Sequence, residues 1–192
     1  MHDYAKPCGH KRAANDSGPR KAASIRLIVI HSAEASDNHG ADSTAEGVAN
    51  YFAMSSTQAS TQLAVDRDSC MRMLPDLVIP WGAKGANSDG LHVEICGRAA
   101  WTRDSWLARD SMLRRAAWKC AKWCWQYDIP ARWLTDKQLA NGSLHGLTTH
   151  VQVNKVFQGG SHWDPGPSFP KDIYLVYVKK YLAEIKKVRN LL

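Results

Sequence analysis

The sequence has no C-x-x-C pair, no internal repeat, no low-complexity tract, and no apolar run near the ~20 residues that a membrane-spanning helix needs. Five cysteines, an odd number, stand at positions 8, 70, 96, 120 and 124. Without C-x-x-C spacing they do not read as a disulfide framework, and synthesis in a reducing cytoplasm is the simpler expectation. The N-terminal stretch MHDYAKPCGHKRAANDSGPRKAAS lacks the apolar centre of a signal peptide. An excess of basic charge is missing from the body of the chain. Residues 1–24 carry +3 and residues 171–192 carry +4, which accounts for the net +7, while 25–170 is neutral. A nucleic-acid binder normally carries its basic patch on the folded body, so that class is disfavoured. A terminal excess fits attraction to polyanions such as a bacterial wall, or solubility alone.

What is present is a globular composition, 44% hydrophobic and 22% charged over 192 residues, which suits one domain. Eight tryptophans are many for this length; most tryptophans are core, and some line sugar- and peptide-binding grooves. Residues 1–24, rich in Gly, Pro, Ala and Ser, read as a mobile basic tail or linker. His2, Cys8 and His10 lie in it without a recognisable ligand spacing. IRLIVIH (25–31) reads as a buried strand ending at His31. Ser43 with Glu46 predicts a capped helix reaching about Met54. TQLAVDR and CMRMLP predict two strands joined by a tight Asp-containing turn, and GLHVEICG (90–97) another strand. One long amphipathic helix is expected over 103–127, with Cys120 and Cys124 on its buried stripe. Thr135 and Gln138 predict a second capping box, closed at Asn141-Gly142. A short helix follows His150, and Pro170 opens a last helix to about 189. The fold class is therefore α/β, a central mixed sheet covered by helices.

Chemistry concentrates in SHWDPGPSFP (161–170), where three prolines and a glycine exclude helix and strand interior alike. His162 and Asp164 sit on this stiff segment. A zinc site that does chemistry takes three imidazole or carboxylate ligands and keeps one position open. His31 at a strand end, His150 in GLTTH, and Asp164 form such a triple on separate segments. Spacing alone leaves other readings open: His31 as a core histidine, Asp164 as a turn-former before proline, and His145 in place of His150.

The chain from about Ile25 to Pro170 resembles the zinc-dependent N-acetylmuramoyl-L-alanine amidases of the type-2 amidase and peptidoglycan-recognition superfamily. The resemblance runs through IVIHSAE, STQLAVDRDSCMRMLPD, IPWGAKGANSDGLHVEICG and GLTTHVQV…SHWDPGPSFP in order, about three quarters of the chain, with wording nearest to amidase domains of actinobacterial phage endolysins. It implies a zinc amidase domain over 25–192 with its catalytic core in 25–170. It implies Zn2+ on His31, His150 and Asp164, Glu94 as general base, and His162 as oxyanion partner. It implies Trp81, Asn87 and Thr61 as substrate contacts, although Thr61 stands where some phage members carry a catalytic tyrosine. The substrate expected is bacterial peptidoglycan, cut between N-acetylmuramic acid and L-alanine by a monomer made in the host cytoplasm. Members of the superfamily without the last ligand bind peptidoglycan and do not cut it; Asp164 favours the enzyme.

Overall fold

The computed structural model describes residues 3–34 and 44–189. Ser43 and His2 fall outside the described residues, and so do the capping box and the ligand role considered for them. Six strands form one mixed sheet: β1 (Gly9–His10), β2 (Leu27–Ser32), β3 (Leu63–Val65), β4 (Cys70–Arg72), β5 (Gly90–Ile95) and β6 (Gly146–Thr149). Their order across the sheet is β1-β4-β3-β5-β2-β6. Only β3 and β4 pair antiparallel; the other neighbours are parallel. The helices are α1 (Thr44–Phe52), α2 (Arg103–Leu107), α3 (Asp110–Gln126), α4 (Asp136–Asn141), α5 (His150–Phe157) and α6 (Lys171–Arg189).

The expected α/β architecture is thus present, and the apolar run of β2 explains its centre. Every residue of β2 and β5 is buried, as befits strands covered on both faces. Ile28 and Ile30 join the larger core with α1, α2, α3 and α6, including Trp106, Met112, Tyr174 and Val178. Leu27 and Val29 point the other way, into a smaller core with Leu139 of α4 and Val153 of α5. His31 has the parity of Leu27 and Val29, so strand alternation turns it toward the α5 side. The register sets Glu94 beside His31 and His92 beside Val29. Parallel strands share their faces in register, so His92 and Glu94 also face that side.

Three expectations need correction. The segment read as a mobile tail is built into the sheet edge. β1 pairs with β4, Lys11 and Ala13 donate to the carbonyls of Arg72 and Met73, and Ala13 is buried. The edge of β4 offers unpaired backbone groups, and this segment satisfies them. The cysteines do not all stay as thiols: Cys8 and Cys70 form a disulfide that pins β1 to β4, while Cys96, Cys120 and Cys124 are buried and free. The helix expected over 103–127 is two helices. Arg109 leaves helical backbone (φ −110°, ψ 40°) and its N–H donates to Trp106 three residues back. Trp106, fully buried, packs edge-on against Trp101 and Phe169 and anchors α2 in the core, and the Arg109 guanidinium covers Trp101 at 4.0 Å.

The remaining local signals fold as their chemistry dictates. Asp66 accepts from the N–H groups of Asp68 and Ser69 and closes the β3–β4 turn. Thr135 and Gln138 cap α4 reciprocally, and Gly142 ends it in the left-handed region at φ 74°. The short strand β6, missed in the sequence because GLTT is brief and mixed, delivers His150 to the first turn of α5.

Candidate active site

A cleft of about 930 Å³ opens where the carboxyl ends of β2 and β5 meet α1, α5 and the proline-rich loop. In open α/β sheets this is where ligands bind. His31, Glu94, His150, His162 and Asp164 line it, with Thr61 and Trp81 on the wall beyond.

Three donors converge on its floor. His31 Nδ1 lies 3.1 Å from His150 Nδ1 and 3.3 Å from Asp164 Oδ2, and His150 Nδ1 lies 3.0 Å from Asp164 Oδ1. Ligands ~2.0–2.1 Å from a tetrahedral ion stand about 3.3 Å apart, so the two imidazole nitrogens and the Asp164 carboxylate, met at one oxygen by each ring, have the spacing of donors around one such ion. The donor set, two imidazoles and one carboxylate, suits zinc, and all three residues are buried. His145 is not part of the group; its carbonyl accepts from Arg132.

The electrostatics agree with a cation in this place. Burial pushes the Asp164 carboxyl up, but the two imidazoles beside it, His150 first and then His31, outweigh it and hold the group well below the usual carboxylate range. Burial lowers the proton affinity of His31, and Asp164 only partly restores it. Glu94 moves the other way: burial, then the charges of Asp164 and Glu34, push its carboxyl well up. Its Oε1 sits 3.9 Å from His31 Nδ1, beside the donor triangle and outside it.

His162 stands at the mouth. Its ring stacks on His150 (centroids 4.6 Å apart, planes 16° apart) and its Nδ1 is 4.0 Å from Asp164 Oδ1. Asn154 of α5 donates to the His162 carbonyl at 2.7 Å and ties the loop to the helix. The Val151 N–H donates to the Asp164 carbonyl, so α5 holds the loop at two points.

The residues expected to touch substrate separate. Trp81 lines the cleft, 39% exposed, its indole N–H donating to Ser17. Thr61 also lines it, but is buried with its hydroxyl donating to the Leu63 carbonyl. Asn87 is not among the lining residues: its carboxamide oxygen accepts from Gly82 and Ala83 and shapes the loop that carries Trp81. Sequence reading passed over Glu34, which accepts from Ser32 and from the Ala99 N–H at the cleft edge. It passed over His92 as well, two residues before Glu94 on the same strand face; that spacing was the available signal.

The sequence model of the N-acetylmuramoyl-L-alanine amidases matches residues 21–167. The chain belongs to this family. The amidase is a peptidoglycan hydrolase whose bond is the amide between muramic acid and L-alanine. Among solved structures it is similar to the Staphylococcus aureus hydrolase AmiA in complex with its ligand: TM-score 0.68, 18% identity, 95% of this chain and 87% of that one. It is similar to PlyL at TM-score 0.62 and 14% identity, over 92% and 97% of the two chains. A mutant endolysin from Bacillus subtilis superposes at TM-score 0.59 and 17% identity, over 90% and 98%. At such identities these likenesses concern the fold of the amidase. No curated protein matches it.

Proposed function

We propose that this amidase is a zinc enzyme of the endolysin kind, with Zn2+ held by His31, His150 and Asp164. The observation that carries the reading is the convergence of two imidazole nitrogens and the Asp164 carboxylate at 3.0–3.3 Å on the cleft floor, with a further carboxylate, Glu94, beside them. When bound there, zinc acidifies water and polarises a carbonyl.

The protein's own groups complete the reaction. Glu94 takes the proton of the attacking water and hands it to the leaving amine of L-alanine. Its burial shields the carboxylate from competing water, and a cation on the neighbouring donors would favour its ionised form at rest. His162, at the mouth, faces the charge that develops on the carbonyl oxygen of the lactyl group. Trp81 offers an aromatic face to the glycan or the stem peptide, and Thr61 contributes the buried wall behind it. Asn87 acts on substrate only through the Trp81 loop.

The rest of the reading concerns where the enzyme works. No helix among the described residues is long and apolar enough to cross a membrane. The chain acts as a monomer on the bacterial wall after release from the cytoplasm that makes it. Its terminal basic residues attach it to anionic wall polymers, and nucleic acid has no place in the account. Metal analysis of the purified protein tests the core of this: about one zinc per chain in the wild type, and none retained by Asp164→Ala after dialysis. A wild type that holds no zinc yet cleaves muropeptides overturns the mechanism.

A further inference from the structure

We propose that His92 is a positioning residue: a buried imidazole that fixes the tautomer and ring angle of His31, so that His31 presents an unprotonated Nδ1 to the metal. The inference rests on the reading of His31 as a ligand, and concerns a different nitrogen of its ring.

His92 Nε2 lies 3.2 Å from the carbonyl oxygen of Ala86. A carbonyl only accepts, so the proton of His92 sits on Nε2 and donates to it. The Nδ1 of that neutral ring then carries a lone pair. It lies 2.9 Å from His31 Nε2, which has to supply the hydrogen. With His31 protonated on Nε2, the lone pair of its ring is on Nδ1, the atom that faces His150 and Asp164. The chain of donors runs one way, from His31 to His92 to the Ala86 carbonyl. An imidazolium at His92 would break that direction, but the ring is fully buried, and among the described residues no carboxylate is bonded to it.

The surroundings are built to the ring. The His92 N–H donates to Gln62 Oε1 at 2.8 Å, and Gln62 Nε2 donates to the Val78 carbonyl at 3.0 Å, which fixes β5 at this residue. Glycines close the pocket on two sides. A Cβ at Gly82 would lie 2.5 Å from His92 Nδ1, and one at Gly90 would lie 2.8 Å from Nε2. Any side chain at either place pushes the ring off His31. Metal-binding histidines generally give their second N–H to a carboxylate, a backbone carbonyl or water. Here a second imidazole takes that place and passes the polarity on to a backbone carbonyl buried at Ala86.

The test uses the whole chain, metal-free and zinc-loaded, as wild type, His92→Leu and His92→Asn. Asparagine keeps an acceptor near the position of Nδ1; leucine keeps bulk and loses it. Long-range proton–nitrogen correlation spectra of the metal-free wild type should show His31 protonated on Nε2. In His92→Leu that preference should fall to a mixture, and zinc affinity, measured by competition with a chromophoric chelator, should weaken ~10–100-fold. His92→Asn should keep the Nε2 tautomer of His31 and bind zinc more tightly than His92→Leu. Circular dichroism checks that each variant is folded, and the wild-type tautomer decides the matter if His92→Leu is not. A wild-type His31 protonated on Nδ1, or a folded His92→Leu that binds zinc as tightly as wild type, overturns the proposal. A wild type that shows the Nε2 tautomer but binds no zinc refutes the metal site and leaves the relay standing.

Discussion

Three side chains, His31, His150 and Asp164, come from positions far apart in the chain and end within one hydrogen bond's length of each other. Each residue type was legible in the sequence, because a strand end, a loop–helix junction and a proline-locked loop are rigid places for ligands. His92 was not, since a histidine inside a strand looks like any core histidine until its neighbour is known. Their roles separate by experiment. Asp164→Ala should lose zinc, because two imidazoles alone make a poor site. Glu94→Gln should keep zinc and lose ~10²–10⁴ of turnover, the usual contribution of a proton carrier. Metal content and rate measured on both proteins check the pair of outcomes; a Glu94→Gln enzyme near wild-type rate would move the base elsewhere.

Strands and turns with strong local chemistry were equally legible: the apolar run that opens β2, the Asp66 turn, the reciprocal cap on α4. What escaped was decided by contacts distant in sequence. Nothing local in residues 1–24 announces a partner, yet β4 needs an edge neighbour, and Arg20 reaches the carbonyls of Asp76, Asn87 and Gly90. The break between α2 and α3 likewise follows from where Trp106 packs. The disulfide therefore matters as a staple across 62 residues. Closing a loop of that length contributes about 2–4 kcal/mol, so Cys8→Ser with Cys70→Ser should lower the unfolding free energy by that amount, and with it the melting temperature, under oxidising conditions. Under reducing conditions variant and wild type should melt alike, which calorimetry with and without a thiol reductant checks.

Charge acts over the entire surface. Lys119 is a buried cation on α3 whose ammonium donates to the Lys6 carbonyl. Burial first, then Lys122, Arg115 and Arg72, lower its pKa from 10.5 to about 8. A cation whose folded pKa is depressed costs stability below that value and stops costing it once the unfolded chain also loses the proton. Stability from this group should thus rise between pH 8 and 10.5. Lys119→Met should melt higher than wild type at pH 7, by no more than ~2–4 °C given screening at its open side, and the gap should close by pH 10.5. Attachment to the wall should weaken with salt, because screening shortens to ~10 Å at 0.1 M. Neutralising exposed Lys11, Lys21, Lys186 and Lys187 with glutamine should flatten that dependence while leaving cleavage of a small soluble muropeptide unchanged. Point changes are the right tool, since removing residues 1–24 would also strip β4 of its neighbour. The amidase account as a whole stands or falls on one measurement: mass spectrometry of a defined muramoyl-peptide incubated with zinc-loaded, chelator-stripped and zinc-restored protein. The account predicts free muramic acid and a peptide with a new N-terminal L-alanine, lost on stripping and regained on restoring zinc. Cleavage at any other bond, or the same products at the same rate after verified metal removal, would contradict it.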